Sequence, residues 1–241
     1  MPPTAPAKAP AIVAIDGPAG AGKSTVAREL ARRLGFTMVD TGAIYRAVAL
    51  AARRAGVEWD DDAGLARVLA PGLALRFLAP PGDAPAEAQR VLLHGHDVTE
   101  AIRTPEISRG ASVVSARPVV RDALLELQRV LGRSAPRGAV LEGRDIGTVV
   151  FPDAQVKLFL TANDEARAAR RHAELEAKGL HVPYAEVLAD QRQRDESDRS
   201  RELAPLKAAG DAIVVDSTGL DLEAVVERCV ALAKARLGDG R

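Results

Sequence analysis

The chain has 241 residues, 47% of them hydrophobic, enough for one large α/β domain or two small ones. Its 33 Lys and Arg balance 33 Asp and Glu, so there is no bulk field to gather nucleic acid or an anionic membrane, although a locally basic pocket fits that balance. At 3%, aromatic residues are too few to stack along a nucleic-acid strand, and no apolar run is long enough to span a bilayer.

Residues 1–10, rich in Pro and Ala, lack the apolar stretch of a signal peptide and read as a disordered leader. Ile12-Val13-Ala14-Ile15 is a continuous apolar run, the pattern of a strand buried on both faces. It enters Gly17-Pro18-Ala19-Gly20-Ala21-Gly22-Lys23-Ser24, which matches the phosphate-loop pattern G-x-x-x-x-G-K-S/T. Residues 23–34 then carry an amphipathic helix, stopped by Gly35. Strand, glycine loop and helix start in that order suit a nucleoside triphosphate. The helix start supplies free N–H groups and partial positive charge, and Gly17, Gly20 and Gly22 let the backbone curl them toward phosphate. Lys23 is placed to reach the β- and γ-phosphates, and Ser24 to offer its hydroxyl to Mg²⁺.

Residues 36–40 form the next strand, followed by a helix over 43–54. Between them, in Asp40-Thr41-Gly42-Ala43-Ile44-Tyr45-Arg46, Thr41 is the expected helix cap, and Arg46 is carried inward on the first turns. Trp59 reads as a packed anchor ahead of a helix cap in Asp60-Asp61-Asp62. Residues 73–78, the turn Pro80-Pro81-Gly82-Asp83 and residues 91–98 suggest a small antiparallel insert. His94 and His96 in it are expected to be exposed imidazoles rather than half of a metal site. Further strands are expected at 139–141, 156–160 and 212–216, and helices at 118–131, 164–178, 184–202 and 222–237. The alternation predicts a parallel sheet with helices on both faces. Cys229 has no intrachain partner, falls in an apolar helical pattern and reads as a core residue, in keeping with a reducing cytosol.

A GTPase would carry N-K-x-D, and the nearest string, Thr161-Ala162-Asn163-Asp164, lacks the lysine. A small-molecule kinase needs cations that neutralise an acceptor and the transferring phosphoryl group. Arg46 follows the second strand, and Arg144 and Asp145 follow the 139–141 strand at the carboxyl edge where open α/β sheets bind ligands. The run from Arg192 to Arg201 places Arg194, Asp198 and Arg201 on one helical face, two guanidinium forks separated by a carboxylate. Such an arm suits closure over ATP and exclusion of water.

The stretches Gly17–Ser24, Asp40–Arg46 and EGRDIGTVVFPD (142–153), with the spaced R-x-x-x-D-x-x-R at 194–201, closely resemble bacterial cytidylate kinase, a P-loop nucleoside monophosphate kinase family, from residue 12 to about 237. The resemblance implies ATP-dependent phosphorylation of CMP and dCMP, with Mg²⁺, by a cytoplasmic monomer in pyrimidine nucleotide metabolism. It implies a three-layer P-loop sandwich on a five-stranded parallel sheet, with core segments 11–45 and 139–237, an NMP-binding region at 46–138 and an arginine-rich lid at about 175–202. It assigns ATP to Gly17, Pro18, Ala19, Gly20, Ala21, Gly22, Lys23, Ser24, Thr25 and Arg170, with Arg167 and Arg171 bordering the lid. CMP falls to Thr41, Arg46, Ser112, Arg121, Arg144, Asp145, Arg194 and Asp198, where Arg46 and Arg144 hold the phosphate and Thr41, Ser112, Arg121 and Asp145 read the cytosine. Catalytic roles fall to Lys23, Arg144, Arg194 and Arg201. The chain departs from the pattern at Thr41, where many relatives have Ser, and at Ser197, where relatives often carry a further lid arginine. Two other readings remain at this level: another P-loop small-molecule kinase, such as one for adenylate or shikimate, and a nucleotide-gated binding module without an acceptor.

Overall fold

A computed structural model describes residues 9–78, 89–177 and 179–238. In chain order its elements are β1 (Ala11–Asp16), α1 (Lys23–Leu34), β2 (Thr37–Asp40), α2 (Thr41–Arg54), α3 (Asp62–Leu69), β3 (Leu75–Leu78), β4 (Arg90–Leu93), β5 (His96–Asp97), α4 (Pro105–Val114), α5 (Pro118–Arg133), β6 (Gly138–Gly143), β7 (Val156–Thr161), α6 (Asp164–Ala177), α7 (Tyr184–Ser200), β8 (Ile213–Asp216) and α8 (Leu222–Leu237). A 3-10 turn occupies Ala101–Arg103, and a π-helical turn occupies Ile146–Val150. Most of the leader and the turn at residues 80–83 lie outside the described residues. Among the described residues the chain divides into two compact units, one lying within residues 1–39, 129–200 and 204–241, the other within residues 40–128 and 201–203.

The first unit is built on a five-stranded sheet in the order β2-β6-β1-β7-β8. Its β1–β6, β1–β7 and β7–β8 pairs are parallel, as the continuous apolar strands require. Register aligns Asp16, the last residue of β1, with Gly143 on one side and Phe159 on the other. The segments leaving β1 and β6 therefore depart side by side from the carboxyl edge. Val13, Ile15, Val140, Val156, Leu158 and Val215 from the strands pack with Val26, Leu30 and Leu34 of α1 and Val225, Val226, Cys229 and Val230 of α8. Cys229 is a core residue as expected, and burial pushes its thiol up to about 11. Arg33 adds an ion-pair link from α1 to Glu223 and Glu227 of α8.

In the second unit, Arg53 of α2 pairs with Glu106 of α4, and Arg117 pairs with Asp62 of α3. Trp59 donates its indole N–H to the Ala49 carbonyl at 3.0 Å, and its ring lies where any side chain at Gly110 would have to go. It is the anchor expected from its place before α3, whose cap is Asp61. The insert is a three-stranded antiparallel sheet in the order β3-β4-β5, with His94 and His96 exposed. Helix α4 has no counterpart in the sequence reading; Thr104 caps it and Pro105 opens it.

Two expectations are corrected. The cap of α2 is Asp40, whose Oδ1 accepts from the Ala43 amide at 2.8 Å, while Thr41 is already the first helical residue. A carboxylate one residue earlier wins because it caps the helix and also takes Arg46 on its other oxygen. Helix α7 ends at Ser200, so Arg201 does not share a helical face with Arg194. The cause is downstream. Ala204 has φ +50, Pro205 follows, and the Leu206 amide takes the Asp198 carbonyl that a continuing helix would give to residue 202. Among the described residues, no helix is long and apolar enough to cross a membrane.

Candidate functional site

The phosphate loop leaves β1 through three glycines in conformations that side chains resist. Gly17 has φ +150, and a Cβ there would land on the Leu160 carbonyl oxygen; Gly20 has φ +72 and Gly22 φ +89. Gly22 caps α1 from the left-handed region with no side-chain bond, and the first turn of α1 has no acidic residue. A helix start without cap or acid leaves its N–H groups and partial positive charge to an external anion. Ser24 and Thr25 lie on this first turn, with Ser24 exposed.

Lys23 is 6% exposed, and its ammonium donates to the Pro18 carbonyl at 2.7 Å. Burial lowers its pKa to about 7, with the Arg144 charge adding to the effect against Glu142, Asp198 and Asp16. A cation held with so little compensation is poised for a polyanion. Asp16, just before the loop, is equally buried. Its two oxygens accept from the amides of Ile146 at 2.8 Å and Gly147 at 2.7 Å, lashing the π-helical turn to β1. Burial raises its pKa to about 6 against those two bonds, with Asp145 adding a smaller push upward.

The same unit supplies a second cationic set. Arg144 donates through Nε to Asp198 of α7 at 2.7 Å. Burial opposes its charge, but Asp198, Asp195 and Glu142 outweigh burial and raise its pKa further. Arg194 pairs with Asp190 at 2.8 Å, while its buried Nε has no hydrogen-bond partner among the described residues. Asp145 is buried at the start of the π-helical turn. Of the residues flanking the lid, Arg170 donates to the Ser217 hydroxyl at 3.0 Å and the Ser217 carbonyl at 2.7 Å, and Arg171 pairs with Glu174. Arg167 lies in the interior, 1% exposed, and grips the Ala19 carbonyl.

The second unit carries its own group. Arg46 donates to Asp40 at 2.8 Å, and its buried Nε is likewise without a hydrogen-bond partner among the described residues. Thr41 is 3% exposed on the opening turn of α2. Ser115, at the end of α4, gathers three of the expected residues. Its carbonyl accepts from Arg121 at 3.1 Å, its hydroxyl donates to the Ser112 carbonyl at 3.0 Å, and Arg201 reaches that hydroxyl at 3.4 Å. The Arg121 guanidinium also lies 5.9 Å from the Tyr45 ring centroid.

Sequence reasoning placed Arg167 at the border of the lid but not on the Ala19 carbonyl, and it missed Asp16, Asp195 and Ser115. An acidic residue at a strand end beside a phosphate loop was the available sign for Asp16.

The matching family model, described as Cytidylate kinase, spans residues 13–235. A protein named Cytidylate kinase from Geobacter sp. (strain M21) is 54% identical over 229 residues, 95% of each chain. Proteins of that name from Geobacter sulfurreducens and Pseudomonas aeruginosa are 53% and 52% identical, each over more than nine-tenths of both chains. A solved structure of an uncharacterized protein from Eubacterium ventriosum ATCC 27560 superposes with a TM-score of 0.51 at 13% identity, covering 93% of this chain and 98% of that one, a likeness of fold alone.

Proposed function

The chain belongs to the cytidylate kinase family, and on that premise we propose how its residues phosphorylate CMP and dCMP at the expense of ATP. The loop from Gly17 to Thr25 holds the ATP phosphates on the open start of α1. Lys23 leaves the Pro18 carbonyl for the β- and γ-phosphates, where the polyanion restores the full charge that burial disfavours. Ser24 is exposed on the first turn beside Lys23, and its neutral hydroxyl suits Mg²⁺ held chiefly by ATP oxygens and water, which would supply charge neutralisation between the phosphates.

An oxygen of the CMP phosphate attacks the γ-phosphorus in line, the bond to the β,γ-bridging oxygen breaks, and ADP leaves with that electron pair. An acceptor that is already an anion needs no general base, so Asp145 is assigned to the cytosine amine rather than to proton abstraction. Arg46 and Arg144 hold the acceptor phosphate, and Arg194 and Arg201 stabilise charge on the transferring group. Asp198 orients Arg144 and, with Arg194, meets the ribose. Thr41, Ser112 and Arg121 complete the base contacts, and Arg170 borders the ATP side. The observation that carries the phosphate assignments is that Arg46 Nε and Arg194 Nε, which like Arg28 Nε of α1 are buried without a hydrogen-bond partner among the described residues, belong to arginines at the candidate site. Buried donors of this kind call for an acceptor from a ligand.

We assign the enzyme to the cytoplasm as a monomer. One coupled assay of ADP formation against CMP, dCMP, UMP, AMP and shikimate tests the reaction; turnover much faster with the cytidine nucleotides than with UMP is expected, and preference for AMP or shikimate would overturn it. Arg121→Ala should raise KM for CMP by about tenfold, the scale of one lost charged contact, and change UMP use far less. Equal losses with CMP and UMP would remove its cytosine-reading role.

A further inference from the structure

The two peptide groups that flank Ala19, in the middle of the phosphate loop, are each gripped by one member of a buried ion pair. The Ala19 carbonyl accepts from Nη1 of Arg167 at 2.7 Å, and the Ala19 amide donates to Oδ1 of Asp195 at 3.2 Å. Arg167 and Asp195 meet each other at 2.6 Å, with side chains 1% and 2% exposed. They come from different helices, Arg167 from α6 and Asp195 from α7. Arg167 is fixed in turn. Its Nε donates to the Ala162 carbonyl at 3.0 Å and its Nη2 to Asp164, whose other oxygen takes Arg192 of α7 at 2.9 Å. The neighbouring Gly20 is packed from the same two helices. A Cβ there would come within 3.1 Å of the Gln191 carboxamide of α7 and 3.2 Å of the Arg167 backbone and Cβ.

A loop whose N–H groups must all face one phosphate depends on each peptide plane being held at a fixed tilt. Gly17 and Gly20 supply freedom rather than restraint. Asp195 restrains the peptide plane before Ala19 and Arg167 the plane after it, and the first of those restraints stands on α7, the helix that also presents Asp198 to Arg144. We propose that Arg167 and Asp195 are positioning residues that set the two peptide planes flanking Ala19 for ATP and tie the shape of the phosphate loop to the placement of α7. The inference rests on the loop being the ATP site. The two are separable, because Lys23→Ala tests the site and the variants below test its support.

Replacing a buried ion pair by apolar side chains of similar volume is commonly neutral for folding, so Arg167→Met/Asp195→Leu removes the grip while keeping the interior filled. The expected result is a folded protein whose KM for ATP rises by about tenfold or more, the scale of a small misplacement transmitted to a reacting group, with KM for CMP within about twofold. The melting-temperature rise on adding ATP should shrink, and the rise on adding CMP should persist. Arg167→Lys, which keeps one charged donor, should recover part of the ATP affinity. A folded double variant with unchanged KM for ATP, or with equal rises for ATP and CMP, would overturn the proposal. Should the double variant not fold, Asp195→Ala, which removes the acceptor of the Ala19 amide while Arg167 keeps the Ala162 carbonyl and Asp164, is read by the same ratio of KM for ATP to KM for CMP: a selective rise for ATP supports the proposal, and an unchanged ratio overturns it.

Discussion

The phosphate loop and helix α7 organise charge in opposite ways. The loop has a single cation, Lys23, and that cation rests on a backbone carbonyl. Helix α7 is studded with charges, and those that matter pair with side chains: Arg192 with Asp164 and Glu165, Arg194 with Asp190, Asp195 with Arg167, Asp198 with Arg144. The first arrangement separates shape from chemistry, since glycines and the helix start make the fold of the loop while Lys23 supplies its charge. The second merges them in its Asp195–Arg167 and Asp198–Arg144 pairs, because removing one member there leaves a charge with little access to water.

Lys23→Ala gives the sharpest break. It should cut kcat by about 10³ or more, the upper range for losing one charged stabiliser of a transition state, and leave the melting temperature unchanged or higher. The structural part follows from the pKa of Lys23. With a folded value near 7, below that of the unfolded lysine, its charge weighs against folding fully at acidic pH, and the burden lifts as pH rises from about 7 toward 10.5. Near-normal turnover would remove the phosphate-loop assignment, and unfolding would remove the separation of shape from charge.

Arg144→Ala is the matching break in the pairs of α7. Turnover should fall by about 10², but here stability should fall too, by about 1–3 kcal/mol, because Asp198 is left nearly buried with its hydrogen-bonded partner gone. Thermal melts beside steady-state rates test the contrast with Lys23→Ala. A loss of rate with an unmoved melting temperature would show that Asp198 relaxes freely and that α7 is no more integrated than the loop.

This contrast also explains which parts could be read from sequence. Gly17, Gly20, Gly22, Lys23 and the strand and helix around them were legible because backbone conformation and helix initiation are local. The parallel sheet was legible for the same reason, one apolar run at a time. The partners of α7 were not. Asp195 meets Ala19 across 176 positions, and Arg144 meets Asp198 across 54, so helical periodicity suggested an Arg194–Asp198–Arg201 face instead. Arg201 left that face because Ala204 and Pro205 turn the chain after Ser200. Ser115 was invisible for a related reason: its role arises from the end of α4, a helix whose Thr104 and Pro105 start was passed over.

Asp16 sharpens the comparison from the loop's other end, since its carboxylate accepts from the backbone amides of Ile146 and Gly147. Its folded pKa of about 6 lies above the model-peptide 3.8. Stability from this group is therefore complete below about pH 3.8 and is lost as pH rises through 6, a change of about 3 kcal/mol for a shift of roughly two units. Urea melts between pH 4 and 7 should show this slope in the wild type, and Asp16→Asn should flatten it. An identical slope in the variant would assign the titration to another group.

The smallest effect is expected at Ser197, exposed on α7 and outside the pairs described above. Ser197→Arg adds a guanidinium to a helix that already has Arg192, Arg194 and Arg199 close by in sequence. With no buried partner to satisfy or orphan, the substitution should move the melting temperature within the scatter of surface changes, about 0.5 kcal/mol. If Arg194 and Arg201 already suffice for the transferring phosphoryl group, kcat should change by less than about twofold, since added charge at an exposed, screened position contributes little. A substantially larger gain would mean that a further arginine on α7 reaches the phosphates during turnover, and that the exposed side of this helix belongs to the chemistry as much as its buried pairs do.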